Sequence, residues 1–179
     1  MPFLGSFGFP SYIGSPIYFR NFKRIFIGKR VRIYPNSRLE VVDSESKIII
    51  EDNVSIAQNF HMTSGGVLLL KKNTTIAENV MITNIDHEYK AIDKHILDQE
   101  YIHKKTEIGE NCLIGFGAAI QAGTILGKHC VVGANAVVRG VFPDYCVIVG
   151  VPGRIIKRYN HKSKIWCKTN SKGEFVQNI

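Results

Sequence analysis

The sequence predicts an all-β solenoid, and three observations predict it. Six aliphatic residues fall at intervals of six (Ile108, Ile114, Ile120, Leu126, Val132 and Val138), and glycine follows four of them, at Gly109, Gly115, Gly127 and Gly133. The same interval recurs upstream in separate frames. Each break in frame coincides with a polar stretch that reads as a loop. A period of six is neither the 3.6 of a helix nor the two of a strand. It suits a coil with flat sides, in which each side supplies one inward aliphatic residue before the chain turns.

Taken in order, residues 1–26 are rich in glycine, proline and aromatics, fit no repeat, and are expected to cap the open end of the coil. Residues 27–153 hold the repeats. Ile27, Ile33 and Leu39 form one set, followed by Ile50, Ile56 and Met62, then by Leu70, Ile76 and Ile82. Ile108, Ile114 and Ile120 make a fourth set, and Leu126, Val132 and Val138 a fifth. Sets of three imply about five triangular coils, each burying its aliphatic row only against its neighbours. Short loops are expected near Ser44–Lys47 and Ser64–Val67, and a long one near 85–105. A polar insertion of that length in an economical solenoid points to function. Residues 154–179 read as a short helix over Arg154–Tyr159 that trails into a basic tail.

The chain holds 23 Lys and Arg against 15 Asp and Glu, a formal charge of +8, which implies anionic partners. The basic residues crowd the two ends. No apolar run has the length of a membrane-spanning helix. The first residues lack the pattern of a secretory signal, so a cytoplasmic protein is expected, with the basic ends able to hold it at the inner face of the membrane. Cys112, Cys130, Cys146 and Cys167 show no CxxC pair. Cys112 and Cys130 share a slot with Ala118, Thr124 and Ala136, where a small side chain packs.

With the repeat, the histidine-bearing loop and the segment Gly150-Val-Pro-Gly-Arg-Ile-Ile-Lys157 on the page, residues 27–158 resemble the hexapeptide-repeat acyltransferases. The nearest subgroup is the sugar O-acetyltransferases, which include galactoside and maltose acetyltransferases and enzymes that decorate surface polysaccharides. The most specific stretches are Ile76-Ala-Glu-Asn-Val-Met-Ile-Thr-Asn-Ile-Asp-His87 and Ile108-Gly-Glu-Asn-Cys-Leu-Ile-Gly-Phe-Gly-Ala118. The resemblance implies a left-handed parallel β-helix, a homotrimer, and acetyl-CoA as co-substrate along a groove between two subunits.

It also implies roles. A histidine at the position of His87 is the general base in similar enzymes, and imidazole suits that task because it titrates near neutral pH. Asp86 and Glu88 flank it and are candidates to orient the ring. Main-chain amides of Gly115-Phe116-Gly117-Ala118 are candidate donors to the oxyanion, since glycine lets a ligand approach closely. Gly115, Gly117, Ala118 and Ala134 are expected along the pantetheine arm, and Arg139, Arg154 and Lys157 at the CoA phosphates. Asn84, Asp86, Tyr89 and Asn59 are expected on the acceptor side, with His61 and His103 nearby. The sequence departs from the family pattern at Leu113, where relatives often carry tryptophan, and at Ala57, where galactoside acetyltransferase has an acceptor-binding asparagine.

The expected reaction is acetyl transfer to a saccharide hydroxyl in surface polysaccharide (O-antigen or capsule) biosynthesis, the acceptor free or lipid-linked. An amino-sugar amine or an antibiotic hydroxyl is the alternative acceptor. A non-catalytic β-helix scaffold is a remoter reading. A zinc hydrolyase on the same kind of coil would need three converging imidazoles, and the six histidines lack the ligand spacing. No recognised nucleic-acid module accompanies the basic charge, so no nucleic-acid partner is expected.

Overall fold

The computed structural model describes residues 4–176. Within them the chain winds as a parallel β-helix with three walls, formed by sheets of seven, nine and six strands. The inward rows read from the sequence are the core: Ile27, Ile33, Leu39, Ile50, Ile56, Met62, Leu70, Ile76, Ile82, Ile108, Ile114, Ile120, Leu126, Val132 and Val138 are each at most 2% exposed. Burying each such side chain stabilises the fold by about 1.5–3 kcal/mol, so the stacked rows are the main source of stability.

Where the chain turns from one wall to the next it adopts positive φ, and asparagine tolerates that region better than other side chains. Asn53, Asn59, Asn73 and Asn79 all take it. Their side chains bond coil to coil, Asn53 to Asn73 at 2.9 Å and Asn59 to Asn79 at 3.0 Å. The cysteines pack as expected: Cys112, Cys130 and Cys146 are buried, with the Cys130 and Cys146 Sγ atoms 3.5 Å apart.

Two expectations about the ends change. Five coils were expected from the aliphatic sets; the structure extends the winding at both ends to about seven turns. The segment expected as a cap forms a further coil, with Ser6 beside Phe26, Tyr12 beside Arg32 and Tyr18 beside Arg38, all parallel. Its inward residues are Phe7, Ile13 and Phe19, which keep the interval of six but are only partly buried.

At the other end the expected helix is a strand. Arg154–Asn160 runs antiparallel to Cys146–Val149 and then to Ile165–Lys168. The exposed edge of the second wall offers ladder partners that a lone amphipathic turn lacks, and tertiary pairing overrides the local pattern. Ile155 turns inward and joins the core at 8% exposure. Among the described residues no helix is long and apolar enough to cross a membrane.

Candidate active site

The long loop leaves the third wall after the strand Met81–Thr83 and rejoins the coil at Thr106–Ile108. Asn84 builds its root. Its Oδ1 accepts the Gly65 N–H at 2.7 Å, its Nδ2 reaches the Ser64 hydroxyl at 3.4 Å, and its carbonyl accepts the Lys104 N–H at 2.8 Å. Asn84 is 1% exposed. Expected on the acceptor side, it is a buried latch at the loop root and lies outside the groove below His87.

Beyond it, Ile85–His87 pairs antiparallel with Tyr101–His103, placing His87 opposite Tyr101. The loop tip is held by Gln99, whose Nε2 donates to the Ala91 and Lys94 carbonyls, each at 3.0 Å, while its Oε1 accepts the Ala91 N–H. The loop is therefore a built element rather than a slack connection.

The His87 ring is exposed and stands edge-on to Tyr101, with centroids 4.9 Å apart. Neither ring nitrogen has a hydrogen-bond partner among the described residues. Stacking, not a carboxylate, sets its orientation. Asp86 takes two bonds from the Arg139 guanidinium, at 2.7 and 2.5 Å, and one from Lys104 at 3.2 Å. Asp86 and Arg139, expected at acceptor and CoA respectively, thus meet each other and tie the loop to a distant coil. The Glu88 carboxylate accepts the Tyr89 and Lys90 amides instead of facing the imidazole. Tyr89 is 70% exposed and does not line the groove.

His87 overlooks a groove of about 530 Å³ on the third wall, lined by Arg38, Glu40, His61, Thr63, Leu97 and Tyr101 among others. These side chains share a face because Arg38, His61 and Met81 are register partners on successive coils. Burial raises the Glu40 carboxyl, but hydrogen bonds from Arg38 and Arg20 outweigh it and hold it below the ordinary carboxylate range. Burial, then the Arg38 charge, holds the His61 imidazole below its ordinary value against the pull of Glu40. His61 Nε2 lies 3.0 Å from the Thr63 hydroxyl.

The sequence reading missed Arg38, Glu40 and Thr63, although the alternation that buries Leu39 and Met62 also turns them outward. Asn59, expected beside the acceptor, is a corner residue in the asparagine ladder and outside this groove. Among the described residues no cluster of His, Cys, Asp and Glu is arranged to hold a metal ion.

The wall expected for CoA lies in the coils after the loop. The Gly115 N–H donates to the Val132 carbonyl at 2.8 Å, and a Cβ at Gly115 would sit 2.7 Å from that oxygen, so only glycine fits the coil spacing there. Gly117 has φ +67 and its N–H donates to the Glu78 carbonyl. Ala118 is fully buried with its N–H bonded to Gly115, which removes it from any ligand-facing role.

Of the four candidate oxyanion donors, three are therefore committed to the coil, and the Phe116 N–H alone has no partner among the described residues. The amide of exposed Ala134, at the same corner one coil on, is likewise unpaired. Arg154 and Lys157 are exposed on the strand Arg154–Asn160 of the second wall, with no acidic partner among the described residues.

The comparisons with known proteins agree with the coiled fold. Residues 105–140 match the family model for bacterial transferase hexapeptide (six repeats). The chain is 34% identical over 160 residues to an Escherichia coli (strain K12) protein assigned provisionally as the lipopolysaccharide-biosynthesis O-acetyl transferase WbbJ, covering 86% of this chain and 81% of that one. It is 28% identical over 154 residues to the galactoside O-acetyltransferase of the same organism, covering 86% of this chain and 64% of the relative. Among solved structures, an N-acyltransferase from Bacillus cereus in complex with dTDP and 3-hydroxybutyryl-CoA superposes with a TM-score of 0.76 at 21% identity, covering 90% and 87% of the two chains. A galactoside acetyltransferase in complex with coenzyme A superposes with a TM-score of 0.59 at 21% identity, covering 98% and 74%.

Proposed function

This chain belongs to the hexapeptide-repeat acyltransferases, and from that premise we propose that it acetylates a hydroxyl of a saccharide with His87 as general base. It shares their left-handed parallel β-helix and is an acetyl-CoA-dependent acyltransferase. The observation that carries the base assignment is the His87 ring, held at the rim of the groove by Tyr101 with both nitrogens unpaired.

The acceptor sugar occupies the groove of Arg38, Glu40, His61 and Thr63. His87 accepts the hydroxyl proton as the sugar oxygen attacks the thioester carbonyl carbon. The oxyanion of the tetrahedral intermediate receives a hydrogen bond from a main-chain N–H, for which Phe116 is suited. Collapse breaks the carbon–sulfur bond, and the imidazolium returns its proton to the CoA thiolate. Arg154 and Lys157 hold CoA phosphates.

The groove around His87 is lined by the loop and the coils before it, and includes neither Phe116 nor Ala134. A homotrimer, in which one protomer's His87 faces a neighbour's Phe116 corner, completes the site. The acceptor belongs to a surface polysaccharide or its lipid-linked precursor. An amino-sugar amine is the second reading, favoured by the close superposition on an N-acyltransferase.

Thiol release from acetyl-CoA, followed with a chromogenic reagent across free sugars, amino sugars, nucleotide sugars and lipid-linked oligosaccharides, identifies the acceptor. His87→Ala lowers kcat by about 10²–10⁴-fold with little change in KM for acetyl-CoA. Undiminished release in that variant would overturn the base assignment.

A further inference from the structure

We propose that the N-terminal end of the solenoid is a docking face for an anionic lipid bilayer. The first coil leaves the core uncovered there: Leu4, Phe7, Ile13 and Phe19 pack on the inward rows but stay partly exposed, and no described residue lies beyond them. Two corners of that coil carry large apolar side chains in solvent, Phe9 at 86% and Ile17 at 69% exposure. Gly8 stacks directly on Gly28 and Lys29, so Phe9 stands over the corner that bears Lys29 and Arg30.

Charge identifies the occupant. Residues 1–42 contain seven basic side chains (Arg20, Lys23, Arg24, Lys29, Arg30, Arg32 and Arg38) against Glu40 alone, so they hold +6 of the chain's +8. Glu40 pairs with Arg20 and Arg38, and Arg24 donates to the Ser46 and Glu45 carbonyls. The side chains of Lys23, Lys29, Arg30 and Arg32 have no ion pair among the described residues, the Asp52 carboxylate accepting only the Lys29 main-chain N–H at 2.8 Å.

A second copy of the chain is a poor occupant, since facing ends would bring like charges together, and edge strands of two or three residues offer little ladder to share. A bilayer rich in anionic headgroups neutralises the ring while Phe9 and Ile17 enter the interface. Each basic residue near such a surface strengthens binding by about fivefold. The unpaired main-chain groups of the edge strands limit the end to headgroup depth, where water and phosphate satisfy them. In the trimer proposed above, three such ends lie at one level around the symmetry axis, and their contacts add. The face lies at the opposite end of the coil from Arg154 and Lys157, so it does not compete with CoA.

Flotation of the full chain with phosphatidylcholine vesicles, with and without phosphatidylglycerol, tests this. The protein floats with the anionic vesicles only, and high salt releases it. Lys29→Ala with Arg32→Ala weakens partition by about fivefold per residue. Phe9→Ala with Ile17→Ala weakens it further, leaving thermal unfolding and acetyl transfer to a soluble sugar as in the parent. His87→Ala floats like the parent, which separates this face from the fate of the catalytic assignment. Equal binding to neutral vesicles, no binding to anionic ones, or unchanged flotation of both double variants would overturn the proposal, as would a salt-resistant head-to-head dimer in place of vesicle binding.

Discussion

The coils before the long loop and the coils after it stack on one aliphatic core but are wound to different rules. After the loop, Glu107 pairs with Ile125 and Leu113 with Val131, eighteen residues on in each case, shortening to sixteen only at the last coil where Ile125 pairs with Val141, and most strands are two residues long. Before it, Arg38 pairs with His61, 23 residues on, and His61 with Met81, 20 on, with several strands of four. On the coils of the strict half the unpaired groups are main chain, at the Phe116 and Ala134 corners, and the exposed cations Arg154 and Lys157 follow on the strand after the last coil. The looser half carries the polar groove and the hairpin of His87. Repetition supplies the stacked walls, and departures from repetition supply the loop and groove where the proposed base stands.

If that contrast concerns only the outside, the core should respond alike in both halves. Ile120→Ala and Ile82→Ala each remove a fully buried side chain, one on either side of the loop, and the two residues belong to one core. Each is expected to cost about 2–5 kcal/mol in urea unfolding, with a single transition. Two separated transitions, with only one moved by each substitution, would mean that the halves fold independently and that the shared core is an illusion of stacking.

A smaller effect tests the boundary between the halves. Asn84→Ala leaves the Gly65 N–H without its acceptor, and a buried unpaired donor costs about 1–3 kcal/mol. Because Asn84 sits at the loop root, the loss should appear as faster proteolysis and amide exchange across 85–103 and as lower kcat. Wild-type protection of the hairpin in this variant would assign the ordering of the loop to Gln99 and Arg139 instead.

These residues also show what could be read from the chain. The core was legible because its rows keep an interval of six in aliphatic residues. The first coil keeps the same interval but was taken for a cap, since Phe7 and Phe19 can stand in its inward row only where no further coil presses on them. The strand Arg154–Asn160 was misread because short apolar patterns do not separate helix from strand, and its ladder partner lies on another segment. The position of His87 at the mouth of the long loop was legible from its motif, and its part in the reaction stands as a proposal. The fates of Asn84, Asp86 and Arg139 were not, because side-chain hydrogen bonds between residues 19 to 53 apart leave no periodic trace.

Arg139 and Lys157 separate the two halves functionally. Arg139 is held by the loop carboxylate, whereas Lys157 stands on the second wall with no acidic partner among the described residues. Lys157→Gln should raise KM for acetyl-CoA several-fold with little change in kcat. Arg139→Gln breaks an exposed ion pair that contributes about 0.2–1 kcal/mol, and should loosen the loop while leaving that KM nearly unchanged. If Arg139→Gln raises KM as much as Lys157→Gln does, its guanidinium turns to CoA in the working enzyme, and the loop half extends further into the cofactor cleft than the wall contacts imply.

The smallest expected effect is a pH dependence near neutrality that arises at His61 in the groove. The His61 imidazole is held below its ordinary value in the fold, first by burial and then by Arg38, so the unfolded chain binds its proton more readily. Stability should therefore be full above the unfolded value of about 6.5 and fall as the pH drops through it, until the folded form also protonates and the slope disappears. Glu40, whose carboxyl is depressed in the fold, contributes stability that is lost only at lower pH, in the carboxylate range, so the two windows are distinct. His61→Gln keeps a polar side chain beside Thr63 and removes the titration. Urea midpoints measured from mildly alkaline pH down to just above the carboxylate range should converge for parent and variant at the acid end relative to the alkaline end. Parallel curves would show that protons taken up elsewhere dominate. The looser half would then owe its groove to the Arg38–Glu40–Arg20 cluster alone, with His61 a bystander to its charge.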